Sequence, residues 1–222
     1  MNKKPVIAID GFSSTGKSSI SKEIAKRLGL IHIDTGALYR GITFFGLENY
    51  TQNNQIDIPQ LIANLDQIHL VFKLENEVLS LYLNGKNIDQ EIRETRVSDQ
   101  VSQIAQQKEI RDFLLDTQRE MAQNGGVIMD GRDIGTTILP NANYKFFMTA
   151  NVEERTQRRY LELKKSGVEI DKMSVRENLI TRDKIDSERE IAPLKQAKDA
   201  ILIDNSSLNK QETIDLILSY IN

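Results

Sequence analysis

Residues 5–28 constrain the fold more than any other stretch of the chain. PVIAID (5–10) is an apolar run of strand length, and GFSSTGKS (11–18) follows it directly. SISKEIAKRL (19–28) then places Ile20, Ile24, Ala25 and Leu28 on one helical face before Gly29 stops the pattern. The central stretch matches G-x-x-x-x-G-K-[ST] in Gly11, Gly16, Lys17 and Ser18. A strand that turns into a helix through glycines can aim backbone N–H groups inward, and the helix adds its partial positive end. Such a turn is built to cradle phosphates. Phe12, Ser13, Ser14, Thr15 and Ser19 complete the segment around them. Lys17 is placed to reach the β- and γ-phosphates, and the Ser18 hydroxyl suits Mg²⁺. The loop indicates a nucleoside triphosphate without saying which reaction uses it.

The rest of the chain repeats the same alternation. IHID (31–34), GVIMD (126–130), YKFFMTA (144–150) and AILID (200–204) read as strands. Helical patterns follow at 35–47, after Asn151 with Glu154, and after Asn209 with Glu212, the last carrying Ile214, Ile217 and Ile221. This predicts a parallel sheet with helices on both faces. A length of 222 residues suits one domain with an insertion, at about 150 residues per domain. Two stretches break the rhythm. Residues 68–84 read as a hairpin turning at Glu75–Asn76–Glu77, and 151–199 reads as helical and charged, with 6 of the 13 arginines.

Composition removes several classes. Lys and Arg total 29 against 32 Asp and Glu, a net charge of −3, which disfavours a dedicated nucleic-acid binder. With no cysteine there is neither a disulfide nor a thiolate nucleophile. The basic start is followed by too short an apolar run for a signal peptide, and no stretch of about 18 apolar residues occurs. The expectation is a cytoplasmic monomer without membrane or nucleic-acid partners.

Further candidates cluster at strand ends, where open α/β sheets bind ligands. Asp34 ends the second strand, Thr35 is the expected helix cap, and Tyr39 and Arg40 follow about one turn later. DGRD (130–133) ends the third strand, with Asp130 where a metal-holding carboxylate belongs. Arg132 between Asp130 and Asp133 fits either a site or a structural ion network. Arg155, Arg158 and Arg159 share a helix face, where they can meet phosphates or pair with Glu153, Glu154 and Glu162. His32 and His69 read as structural.

GFSSTGKSS, HIDTGALYR, MDGRDIGTTILP, the RTQRR segment, RDKIDSER and APLKQA occur in this order, and together they resemble the bacterial cytidylate kinases over nearly the whole chain. In that family the cradle usually begins Gly-Pro and carries Gly or Ala where Ser14 stands. The resemblance implies a three-layer P-loop kinase fold with a core at about 1–35, 96–150 and 191–222. It further implies a hairpin-containing monophosphate-binding region at about 36–95 and a helical lid at about 151–190. It implies transfer of the γ-phosphoryl group of ATP to CMP or dCMP, with Mg²⁺ held by Ser18 and, through water, by Asp130 or Asp34. ATP falls to residues 11–19 and Arg158, and transfer to Lys17, Arg132, Arg155 and Arg159. Arg40 and Arg132 are implied for the acceptor phosphate, with Arg189 nearby and Thr35, Tyr39 and Asp130 beside it. Ser102, Arg111 and Asp133 are implied for cytosine, and Arg182 and Asp186 for the sugar. Read without the resemblance, Ser102 and Arg111 are polar positions on an ordinary helix. The rival readings are a kinase for UMP, a deoxynucleoside or another small metabolite, a nucleotide switch, and an RNA-associated protein.

Overall fold

The computed structural model describes residues 4–75 and 78–221. The strands in chain order are β1 (Val6–Gly11), β2 (Ile31–Asp34), β3 (Thr51–Gln52), β4 (Gln55–Ile56), β5 (Leu70–Glu75), β6 (Val78–Leu83), β7 (Lys86–Asn87), β8 (Val127–Gly131), β9 (Tyr144–Thr149) and β10 (Ile201–Asp204). The α-helices are α1 (Lys17–Leu28), α2 (Thr35–Asn49), α3 (Ile58–Ala63), α4 (Thr95–Ile104), α5 (Lys108–Ala122), α6 (Val152–Lys165), α7 (Lys172–Glu188) and α8 (Lys210–Leu218). They form two compact units, Met1–Ile33 with Ala122–Asn222, and Asp34–Met121.

The first unit is built on a parallel sheet of order β10-β9-β1-β8-β2. Its central strands are apolar on both faces, as a covered parallel sheet requires: Ile7, Ile9, Ile128, Phe146 and Met148 are fully buried. Ile20 and Ile24 of α1 and Ile214 and Ile217 of α8 pack into that core. Each such side chain stabilises by about 1.5–3 kcal/mol relative to exposure. Register decides where the loops emerge. Asp10 lies opposite Gly131, and Gly11 opposite Met148, so the ends of β1, β8 and β9 finish level. Residues 11–18 and the turn after β8 therefore leave the sheet side by side.

Caps set the helix starts. Asn151 accepts from the Glu154 N–H at 2.8 Å, and Asn209 forms a reciprocal capping box with Glu212. Gly29 closes α1 in the left-handed conformation. Leu163 of α6 packs on Val175 and Leu179 of α7, giving these helices a small core of their own.

Three expectations change. Thr35 is the first residue of α2 rather than its cap, because Asp34 holds the extended N-cap conformation. The helical stretch ends at Glu188, because Arg189 takes extended backbone (φ −60°, ψ 140°) as its C-cap, and Ala192 and Pro193 beyond it do not resume the helix. Ile221 lies beyond the end of α8.

In the second unit α2 buries Leu38, Ile42 and Phe45 in a core shared with Leu61, Leu81, Val97, Ile104, Ile110 and Leu114. The hairpin pairs β5 with β6, and a short third strand, β7, extends it. The expected turn at Asn76–Glu77 lies outside the described residues.

Candidate active site

Backbone geometry makes the cradle. Gly11 has φ 148°, and a Cβ there would lie 2.0 Å from the Met148 carbonyl oxygen, so only glycine lets the loop leave β1 beside β9. Gly16, at φ 90°, is the N-cap of α1. Between them Ser14 takes φ 60°, a left-handed conformation uncommon for a residue with a side chain. Thr15 is buried, and its hydroxyl donates to the Phe12 carbonyl at 3.0 Å. Lys17 Nζ donates to the same carbonyl at 2.5 Å and lies 3.4 Å from Thr15 Oγ1. Burial holds the Lys17 ammonium well below its ordinary pKa, and nearby Arg132 adds to this, against Asp130, Asp10 and Asp186. Anionic phosphate in the cradle would offset both effects. Ser18 Oγ donates to Asp130 Oδ2 at 2.7 Å, while Ser19 is exposed and turns back to the Gly16 carbonyl.

Two arginines of α6 brace the loop from outside. Arg155 is buried, donates to Ala150 O at 2.9 Å and Asp183 Oδ2 at 2.6 Å, and lies 5.2 Å from the Phe12 ring centroid. Burial pushes the Asp183 carboxyl up, and Arg155 only partly opposes it. Arg158 donates to the Asn205 side chain at 3.0 Å and to the Asn205 carbonyl at 2.8 Å. Asn205 in turn donates to the Thr15 carbonyl at 2.9 Å. Arg159 stands apart from this brace and pairs with Glu162 at 2.9 Å, one of its expected glutamate partners.

The segment after β8 carries a second charged group. Arg132 Nε donates to Asp186 Oδ2 at 2.8 Å. Burial alone would lower the Arg132 pKa, yet Asp186, Asp183 and Asp130 raise it above the ordinary value. Burial likewise pushes Asp186 up, and Arg132, Arg182 and Arg189 bring it below the usual carboxylate range. Arg189 donates to Asp133 Oδ1 at 3.0 Å, and the Ala192 carbonyl accepts from it twice, at 2.8 and 2.5 Å. In the second unit Arg40 donates to Asp34 Oδ2 at 2.8 Å. Thr35 and Tyr39 are buried beside it in sequence. Ser102 and Arg111 are also buried rather than solvated decoration, and the Arg111 guanidinium lies 5.5 Å from the Tyr39 ring centroid.

Sequence reasoning missed Asp10, Asn205 and Asp183. Asp10 accepts the Ile134 and Gly135 N–H groups at 2.7 Å each, pinning the turn that follows Asp133. Burial pushes its carboxyl up to about 7, against those two hydrogen bonds. An acidic residue just before the cradle was the available signal; nothing local marks Asn205 or Asp183.

Among the described residues no cluster of three or more His, Asp or Glu side chains could hold a metal. Ser18 Oγ and Asp130 supply two hard oxygens. That donor set fits Mg²⁺ carried on nucleotide phosphates, an ion that keeps several waters and takes one or two protein ligands. No helix among the described residues is long and apolar enough to cross a membrane.

Over nearly its whole length the chain is similar to known proteins. A cytidylate kinase from Flavobacterium johnsoniae is 45% identical over 99% of this chain and 97% of its own length. One from Alkaliphilus oremlandii is 46% identical, covering 96% and 95%, and one from Bacillus cereus is 40% identical, covering 100% and 98%. A crystal structure of an uncharacterized protein from Eubacterium ventriosum superposes with a TM-score of 0.51 at 14% identity, covering 99% and 98% of the two chains, a likeness of fold alone. The cytidylate kinase family model matches residues 7–222, and the chain belongs to that family.

Proposed function

We propose that this chain transfers the γ-phosphoryl group of ATP to CMP or dCMP, giving ADP and CDP or dCDP. The observation that carries the reading is the joining of a glycine-shaped cradle holding Lys17 to an arginine–carboxylate turn at the level ends of neighbouring parallel strands. Phosphoryl transfer asks little covalent chemistry of a protein and much positioning and charge neutralisation.

The attacking group is a phosphate oxygen, largely ionised above a second pKa of about 6, so no strong general base is needed. Lys17 and the inward N–H groups hold the donor phosphates. Ser18, with Asp130, would hold Mg²⁺, which offsets phosphate charge when bound. Arg132, Arg155 and Arg159 are the proposed partners of the charge on the transferring group, and Arg158 of ATP. Arg40, Arg132 and Arg189 are proposed for the acceptor phosphate, and Arg182 and Asp186 for its sugar. Ser102, Arg111 and Asp133 are proposed readers of cytosine. A carboxylate accepts from the N4 amino group of cytosine and repels the carbonyl oxygen that uracil presents there. Helices α6 and α7 are the proposed lid, which excludes water that would otherwise take the phosphoryl group.

Lys17→Met removes the ammonium at similar length. Turnover with ATP and CMP in a coupled ADP assay should fall at least about a hundredfold, with thermal unfolding unchanged or raised because a buried charge is lost. A folded variant with near-normal turnover contradicts the assignment.

A further inference from the structure

Two elements meet the Asp130 carboxylate of β8. Ser18 Oγ, from α1, donates to Asp130 Oδ2 at 2.7 Å, and His32 Nε2, from β2, lies 2.5 Å from Asp130 Oδ1. The Asp130 side chain is 3% exposed and that of His32 17%. A carboxylate oxygen accepts, so the imidazole supplies the hydrogen at Nε2. The tie at Oδ1 resists rotation of the carboxylate about χ2. With Oδ1 tied to the ring, Oδ2 stays aimed at the Ser18 hydroxyl.

We infer that His32 is a positioning residue for the ion-facing side of the cradle. Acting through Asp130, it orients Ser18 and so sets how strongly magnesium-bound nucleotide is preferred over free nucleotide. This rests on the reading of residues 11–18 as a nucleotide cradle with Ser18 facing the ion. A purely structural histidine would fill space between β2 and β8, and leucine, of similar bulk, would replace it. A hydrogen-bonding role requires a donor at that point, which a glutamine amide can also supply. Partners one shell out from an ion commonly change its affinity about 10–100-fold.

The test is calorimetric ADP affinity in excess Mg²⁺ and in EDTA, for wild type, His32→Leu and His32→Gln. The expected result is that His32→Leu shrinks the gain from Mg²⁺ about tenfold while the EDTA affinity stays within about twofold of wild type, and His32→Gln recovers most of the gain. An undiminished gain in His32→Leu overturns the inference. So does an equal loss with and without Mg²⁺, which would make His32 a support of the fold, or a His32→Gln no better than His32→Leu. Wild type that binds ADP without any gain from Mg²⁺ overturns it too while sparing the cradle. Wild type that binds no ADP contradicts the cradle itself.

Discussion

Asp10 and Asp133 show how much one buried carboxyl can decide. Asp10 holds two backbone N–H groups, yet burial raises its pKa to about 7 from an unfolded value of 3.8. A raised folded pKa means that its contribution to stability is fully present below the unfolded value and is lost as pH rises through about 7. Asp10→Asn does not titrate. Between pH 5 and 7 wild type should therefore lose on the order of 2 kcal/mol relative to the variant, measured by urea unfolding at each pH. A stability difference constant across that range contradicts the assignment. Asp133 is tied to Arg189, so Asp133→Asn preserves size and one acceptor while adding an amide donor that uracil can use. The ratio of kcat/KM for CMP over UMP should fall about tenfold or more. An unchanged ratio removes Asp133 from base reading. Gly11, Gly16, Lys17 and Ser18 were legible because their geometry is encoded by neighbours along the chain. Asp10 and Asn205 were not, because their partners lie 124 and 190 residues away.

Elements were legible where periodicity was long or apolar. The five strands of the main sheet are short hydrophobic runs bounded by turn residues, and α1 shows an unbroken apolar face. The two-residue strand β7 is exposed and carries no periodic signal. The end of α7 depends on the extended backbone of Arg189, which charge patterning does not reveal. The burial of Ser102 and Arg111 was likewise invisible locally, since a serine or arginine on a helix is ordinarily exposed. The brace on the cradle is a property of packed elements: α6 sends Arg158 to the segment after β10, where Asn205 holds the Thr15 carbonyl. Asn205→Ala leaves a buried carbonyl and a guanidinium without that partner. KM for ATP should rise about tenfold, with KM for CMP within about twofold. Equal increases for both substrates would show that the brace supports the fold at large rather than the donor site.

For the whole molecule, the two compact units divide the proposed labour. The first carries the cradle, the arginine–carboxylate turn and the α6–α7 pair, and the second carries Arg40, Ser102 and Arg111 on its own core. A parallel sheet with its functional loops at one end suits a phosphotransferase, and Lys17, whose ammonium burial holds well below its ordinary pKa, stands in the cradle itself. A nucleotide switch would bind the same triphosphate yet need no acceptor. ADP release from ATP, followed with CMP, dCMP, UMP, AMP and a no-acceptor control, separates these readings most directly. The cytidine monophosphates should raise release at least about a hundredfold over the control and yield the matching diphosphate, with UMP weaker and AMP near the control. Release that ignores the acceptor, or that is fastest with a purine monophosphate, would contradict the proposed function at its centre.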